Sequence, residues 1–239
     1  MIRLVLYDID GTLIASGGAG VRAFAAVARS TFGISNGTAH LNFAGRTDLS
    51  IIREFFLAHE IRVDRANFDR FLDDYVFWLD HFLHQLPGRV LPGVLESIET
   101  LRRLPDGPLV GLLTGNIRLG AEIKLRHYRL WDPFEVGAFA DDHEDRDVIA
   151  AIARDRAIER LRRSISGEEI LVIGDTPLDI RCARAIGARC LAVATGGVSY
   201  EDLLAHHADW TVRSLNEVDL GSLCDARLAI SPGPGRTRA

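Results

Sequence analysis

Lysine is nearly missing from this 239-residue chain. Lys and Arg together number 28, and Lys124 is the single lysine, so the other 27 cationic residues are arginine. A neutral surface position would have drifted to arginine under such a bias, which makes Lys124 a candidate functional residue. The alternative is a surviving surface lysine whose stem covers apolar surface.

Cysteine, positive charge and long apolar runs are also scarce. The three cysteines are odd in number and form no Cys-x-x-Cys pair, which disfavours a disulfide framework or a zinc site. A formal charge of -5 offers no field to attract a nucleic acid. No apolar run approaches the roughly 20 residues that span a bilayer, and the N terminus lacks the long apolar segment of a signal peptide. We therefore expect a cytoplasmic protein without nucleic-acid or membrane partners.

Apolar residues make up 47% of the chain and include several short runs that end in small or acidic residues. The four clear runs are "IRLVLYD", "PLVGLLTGN", "EILVIGD" and "RCLAVATGG", and "EVGAFAD" is a weaker fifth. Continuous apolar runs of this length are typical of strands covered on both faces. Helical stretches separate them, so the sequence predicts an α/β fold with a Rossmann-like parallel sheet and helices on both faces.

A long segment between the first two runs has helical rather than strand periodicity. Apolar residues recur at helical spacing in "VRAFAAVARSTF" and again from Phe68 to Leu86, where Pro87 and Gly88 end the stripe. This segment leaves the predicted core just after the first strand. It is expected to cover the site as a helical cap. We assign the core to residues 1–14 and 86–230, the cap to 15–85, and a disordered Pro/Gly-rich tail to 231–239.

Carboxylates follow two of the predicted strands. Asp8 and Asp10 in "YDIDGTL" stand at the end of the first, and a tight turn at Gly11 would let both face one pocket. One could act as a nucleophile and its neighbour as a general acid and base. The alternative is a solvated turn.

A second acidic pair, Asp175 and Asp179 in "VIGDTPLD", follows another strand. Pro177 suits the first turn of a helix, which would let Asp179 turn back toward Asp175. Hard oxygen ligands at this density suit Mg²⁺. Asp179 could equally be a helix-start residue favoured by the helix dipole.

A phosphate site is predicted at "LTGN". The Thr114 hydroxyl and the backbone of Gly115 and Asn116 precede a helix, whose start carries partial positive charge.

Together, and in this order, DxDGTL, LLTGN and GDxxxD resemble the first, second and fourth motifs of the haloacid dehalogenase superfamily, and the insert resembles its C1-type cap. The resemblance implies that Asp8 attacks phosphorus and that Asp10 protonates the leaving group, then activates water. It implies that Thr114 binds phosphoryl oxygens, and that Mg²⁺ is held by Asp8, the Asp10 carbonyl and Asp175, with Asp179 in support.

The family's third motif is a lysine after the third strand, where this chain has "FADDHEDRDV" and no lysine. We favour Lys124, on the helix after Thr114, for this role, because a planar guanidinium does not replace a compact ammonium group. Arg146 is the rival. The acidic segment 141–147 is predicted to be a solvated loop rather than a second metal site.

Arg46 in "AGRTD" stands where the family places its specificity loop, and it could clamp a substrate carboxylate or second phosphate. The alternative is a surface arginine before a helix capped by Asp48. The predicted function is Mg²⁺-dependent hydrolysis of a small phosphorylated metabolite, with resemblance to phosphoglycolate phosphatases. A β-phosphoglucomutase-type mutase and a non-catalytic phosphometabolite-binding module are the alternatives. A true dehalogenase is disfavoured, because those enzymes lack the second aspartate.

Overall fold

The computed structural model describes residues 1–225, so the tail predicted for 231–239 lies outside the described residues. The strands are β1 (Leu4–Tyr7), β2 (Ile14–Ala15), β3 (Arg89–Val90), β4 (Leu109–Leu113), β5 (Val136–Ala138), β6 (Ile170–Gly174), β7 (Arg189–Val193) and β8 (Trp210–Val212). The helices are α1 (Ala19–Phe32), α2 (Asp48–Ala58), α3 (Arg65–Gln85), α4 (Val94–Arg103), α5 (Arg118–His127), α6 (Arg146–Leu161), α7 (Pro177–Ala185), α8 (Tyr200–Ala205) and α9 (Leu220–Cys224).

Six strands form one parallel sheet in the order β5-β4-β1-β6-β7-β8. This confirms the predicted α/β class, and all five apolar runs contain a strand of the sheet. The chain continues from β1 to β4 on one side and later to β6 on the other. The carboxyl ends of these three strands therefore border the crevice where open α/β sheets bind ligands.

Alternate residues of each strand pack into different layers, as the two-residue period of a strand requires. In β1, Val5 and Tyr7 contact one apolar cluster, which includes residues of α4, α5 and α9. Leu4 and Leu6 face the opposite cluster, which includes residues of α6, α7 and α8. Both faces are covered, which explains why the strands are apolar without alternation.

The segment between β2 and β3 is helical. Helices α1, α2 and α3 share a cluster rich in phenylalanine, in which Phe24 packs against Phe55 and Phe71 at ring-centroid distances of 5.6 and 4.6 Å. We call residues 16–88 the helical insert. Ile117 and Ala140 of the core belong to the same cluster, so the insert packs directly on the edge of the sheet that carries the predicted site.

Two features escaped sequence reasoning. The strands β2 and β3 form an antiparallel ribbon at the base of the insert, with Ile14 opposite Val90. The edge strand β8 is only three residues long and half-buried, so it has no continuous apolar run to reveal it. Within residues 1–225, no helix is long and apolar enough to cross a membrane.

Candidate active site

The turn after β1 carries the first pair of aspartates. Asp8 is buried, whereas the Asp10 side chain is 42% exposed and lines a cavity. Gly11 follows with φ 82°, and a Cβ there would lie only 2.3 Å from Asp175 Oδ2. Glycine is therefore required both for the left-handed turn and for the close approach of the fourth-motif carboxylate.

Asp8, Asp175 and Asp179 form a buried group whose ligand atoms all lie within 4.8 Å of one another. Burial raises the pKa of Asp8 to about 6, with a lowering contribution from Arg146 and a raising one from Asp179. Burial also raises the pKa of Asp175 well above its usual range, and the neighbouring Asp179 and Asp8 carboxylates add to the increase. The three carboxylates therefore repel one another and favour a bound cation.

The positions of Asp175 and Asp179 follow from the start of α7. Pro177 is its first residue, and Asp179 Oδ2 accepts hydrogen bonds from the backbone N and Oγ1 of Thr176, at 3.0 and 2.7 Å. Thr12 Oγ1 donates to Asp175 Oδ1 at 3.2 Å. Asp179 thus has both of the roles that the sequence suggested, because it belongs to the capping box of α7 and lies beside Asp175.

Arg146 is the cation that contacts Asp8. Its Nη2 lies 3.2 Å from Asp8 Oδ1 and also pairs with Asp179 Oδ1. Arg146 is 3% exposed. Burial opposes its charged form, but the Asp179 and Asp8 carboxylates outweigh this and raise its pKa. A guanidinium is suited to this position because it can serve several acceptors at fixed angles.

Lys124 contacts the other aspartate. Its Nζ donates to Asp10 Oδ2 at 2.5 Å and to Asn116 Oδ1 at 2.6 Å, and the residue is 4% exposed. Asn116 Nδ2 in turn donates to Asp10 Oδ2 at 2.9 Å and to Thr114 Oγ1 at 2.8 Å. The single lysine, the predicted phosphate loop and Asp10 therefore form one hydrogen-bonded chain.

A cavity of about 510 Å³ lies between these residues and the helical insert, a size that suits a small ligand. The insert closes on the core through the loop before α2. Thr47 Oγ1 donates to Glu144 O at 2.8 Å, Asp48 N donates to Gly115 O at 2.7 Å, and Arg146 Nη1 donates to Gly45 O at 2.9 Å. Gly115 permits this contact, because a Cβ there would lie 2.2 Å from Arg46 O.

Arg46 lines the cavity but has partners within the insert. Its guanidinium pairs with Glu54 and donates to Ser50 O at 3.3 Å. The helix that follows begins at Asp48, and its N-cap is Thr47, whose hydroxyl accepts from Ser50 N at 3.3 Å. The expectation that Asp48 caps α2 is therefore wrong. The Asp48 side chain instead accepts from Ile117 N at 2.8 Å, across the cavity wall.

The acidic segment 141–147 has no metal-binding arrangement. Asp142 pairs with Arg156, and Glu144 pairs with Arg53 of α2. Asp145 caps α6 by accepting from Asp147 N at 2.9 Å. Within residues 1–225, no second group of three converging metal ligands accompanies Asp8, Asp175 and Asp179.

Three cavity or support residues escaped sequence reasoning. Thr12 stands two residues after Asp10 in "DGTL", and a threonine at that spacing can return a hydroxyl to the site. The position of Asp48 at a helix start gives no sign of its contact with Ile117 N. Tyr75 lies on the apolar stripe of α3, which predicts a core position, but it lines the cavity. A tyrosine among the phenylalanines and leucines was the available signal, since a buried hydroxyl requires a partner or a ligand.

The group formed by Asp8, Asp175 and Asp179 has the ligand chemistry that magnesium prefers. Mg²⁺ takes one or two carboxylates and keeps other positions for water and phosphate oxygens. Asp8 and Asp175 can supply these ligands. Both oxygens of Asp179 are bonded to Arg146 and Thr176, so its place is beside the ion rather than in direct contact with it.

A family model described as haloacid dehalogenase-like hydrolase matches residues 5–193. CbbY from Rhodobacter sphaeroides, solved in complex with phosphate, is 19% identical with a TM-score of 0.70, over 91% of this chain and 96% of that one. A predicted phosphatase from Clostridium acetobutylicum is 22% identical with a TM-score of 0.67, again over 91% and 96%. A predicted phosphoglycolate phosphatase from Haemophilus somnus is 16% identical with a TM-score of 0.68, over 90% and 96%. None of the curated proteins matches the sequence.

Proposed function

Because the chain belongs to the haloacid dehalogenase-like hydrolase family, we propose that it is a Mg²⁺-dependent phosphatase that hydrolyses a small phosphorylated metabolite through an aspartyl-phosphate on Asp8. The observation that carries the proposal is the position of Asp8. It is buried on the floor of a cavity between the core and the helical insert, contacts Arg146 and stands in a group of three carboxylates.

In the first step, an Asp8 oxygen attacks phosphorus and the bond from phosphorus to the leaving oxygen breaks. Asp10 donates a proton to that oxygen, so the product leaves as a neutral alcohol. Lys124 and Asn116 both donate to Asp10 Oδ2, and they stabilise the carboxylate that remains. In the second step, Asp10 takes a proton from water as the water attacks phosphorus, which releases phosphate and regenerates Asp8.

The phosphoryl group is bound by donors that are already in place. The Thr114 hydroxyl accepts hydrogen bonds from Asn116, so its own proton is available to a phosphoryl oxygen. Mg²⁺ held by Asp8, Asp175 and the Asp10 carbonyl would neutralise charge on the phosphoryl group. Arg146 orients Asp8, which we propose as the function of the third motif, while Lys124 acts on Asp10. The helical insert excludes water as a cap.

The test is release of inorganic phosphate from a panel of phosphorylated metabolites, with Mg²⁺ and with EDTA. Asp8→Asn should lower turnover at least about a thousandfold, equivalent to about 4 kcal/mol of barrier. Asp69→Asn is the matched control, because Asp69 is exposed on α3 and pairs only with Arg65. Isomerisation of a sugar phosphate without release would indicate the mutase instead, and tight binding without either product would indicate the binding module.

A further inference from the structure

The wall of the cavity opposite the carboxylates is largely apolar. Val21 and Phe24 of α1, Phe43 of the following loop and Ile51 of α2 line it. Phe24 is 3% exposed and Ile51 is 2% exposed, so both are fixed in the core of the insert. A ligand attached to the phosphoryl group would extend from Asp8 toward this wall and would gain free energy by burying carbon there.

The cations that line the cavity are already paired. Within the described residues they are Arg46, Lys124 and Arg146. Arg46 pairs with Glu54, Lys124 with Asp10 at 2.5 Å, and Arg146 with Asp8 and Asp179. A second anionic group on the ligand would have to compete with one of these carboxylates for its cation, since the described part of the cavity lining offers no unpaired cation.

Negative charge also stands on the insert side of the cavity. Asp48 lines it, and its Oδ2 is held by the Ile117 N–H at 2.8 Å. This carboxylate is distinct from Asp8, Asp10 and Asp175, which line the floor. It would repel a carboxylate or phosphate on the far end of a ligand, while a neutral hydroxyl could donate to it.

Tyr75 brings a hydroxyl to the lining of the cavity. The residue is 4% exposed, and its hydroxyl makes no hydrogen bond to any group within residues 1–225. Gly20 of α1 leaves space beside it, because a Cβ at Gly20 would lie 3.3 Å from the Tyr75 hydroxyl and 3.7 Å from Lys124 Nζ. The hydroxyl lies at the cavity lining, where it can bond a polar group of a ligand.

From these observations we infer that the substrate is the monophosphate of a neutral, carbon-rich alcohol with a polar uncharged group that bonds Tyr75, and that substrates with a carboxylate or second phosphate are disfavoured. This specificity rests on the proposed phosphatase function. It places the preferred substrate outside the phosphoglycolate type, for which Arg46 would have to leave Glu54.

The experiment compares substrates that differ mainly in one charge. The two pairs are 2-hydroxyethyl phosphate against phosphoglycolate, and glycerol 3-phosphate against 3-phosphoglycerate. We expect kcat/KM to be at least about tenfold higher for the neutral member of each pair, which corresponds to about 1.4 kcal/mol. Equal values, or faster turnover of the carboxylates, would overturn the inference and leave the phosphatase function intact.

Two variants test the residues themselves. Glu54→Gln releases Arg46 and should raise kcat/KM several-fold for the carboxylate members only, whereas Glu99→Gln, at an exposed ion pair on α4, should change neither member. Tyr75→Phe should raise KM for the neutral hydroxyl substrates more than it lowers kcat. No selective gain in Glu54→Gln would count against the inference.

Binding separates the two proposals. The same pairs are titrated calorimetrically into Asp8→Asn with Mg²⁺, so the preference is measured without turnover. Tighter binding of the neutral members supports the specificity even if the wild type releases no phosphate, in which case only the phosphatase function fails. Tighter binding of the carboxylate members overturns the specificity, whatever the turnover.

Discussion

Lys124 and Arg146 contact different aspartates, and the sequence alone does not predict which cation contacts which aspartate. The rarity of lysine drew attention to Lys124, which is buried and bonds Asp10. Whether it approaches Asp8 or Asp10 depends on how α5 lies against the turn after β1, which is a tertiary relation. Helix α5 begins at Arg118, and from there Lys124 meets Asp10. Arg146 reaches Asp8 from the first residue of α6.

Replacement of Arg146 tests whether Arg146 has the role that we propose for it beside Asp8. A lysine at 146 keeps the charge, but its single nitrogen cannot reach Asp8, Asp179 and Gly45 O together. We expect Arg146→Lys to lower kcat by about 10- to 100-fold, equivalent to about 1.4 to 2.7 kcal/mol, with a smaller change in KM. Steady-state phosphate release measures both constants.

The matched control is Arg156→Lys, since Arg156 is a partly exposed arginine paired with Asp142 outside the cavity. Its activity should stay within about twofold of wild type. Full activity in Arg146→Lys, together with a large loss in Lys124→Arg, would return the third-motif role to Lys124.

Asp48 gives a pH-dependent prediction about stability. Burial raises its pKa to about 6, although Lys124 and the Ile117 N–H act in the opposite direction. An unfolded aspartate titrates near 3.9, so the folded state binds this proton more tightly, and the stabilisation present below pH 4 is lost as pH rises through 6. The free energy of unfolding of Asp48→Asn, relative to that of wild type, should therefore increase with rising pH, by about 1 kcal/mol after solvent screening.

The measurement is thermal unfolding of both proteins in EDTA at pH 4.5 and pH 7.5. The Tm difference should grow by about 2–4 °C in favour of Asp48→Asn at the higher pH. Asp69→Asn should show no such growth, because Asp69 is exposed. A constant difference between the two proteins would contradict the raised pKa.

At the scale of elements, the apolar runs predicted the sheet because burial on both faces leaves a local signal in the sequence. The ends of those runs also predicted that Asp8, Thr114 and Asp175 lie at one edge of the sheet, and all three line the same cavity. The contacts between the insert and that edge left no such signal. Gly115 meets Arg46 O, and Thr47 meets Glu144 O, across long stretches of chain.

Closure of the insert can be tested at Gly115. An added methyl would collide with Arg46 O at 2.2 Å and with Thr47 Cα at 3.0 Å, so the loop must move away from the phosphate loop. We expect Gly115→Ala to lower kcat/KM about a hundredfold, equivalent to about 2.7 kcal/mol, because the insert no longer packs against the phosphate loop and covers the site less well. Gly197→Ala is the control, because it also adds a methyl at the cavity lining but a Cβ there meets no atom within 4 Å. Equal activity of the two variants would show that this contact is not needed.

At the scale of the whole molecule, the formal charge of -5 is unevenly distributed. Most ion pairs lie on the surface, where each contributes little. The buried acids Asp8, Asp175 and Asp179 face a single buried arginine. The core of the site is therefore short of positive charge, and a divalent cation should stabilise the whole fold.

Magnesium binding should consequently appear as a rise in Tm. At a concentration 100 times Kd, a ligand that binds only the folded state adds about 2.7 kcal/mol, which for a chain of this size corresponds to about 5–10 °C. Asp175→Asn should lose this shift, and its Tm in EDTA should equal or exceed that of wild type, because one of the three repelling carboxylates is gone. Asp142→Asn keeps the cluster and should keep the shift. An undiminished Tm shift in Asp175→Asn would show that Asp175 does not bind the ion.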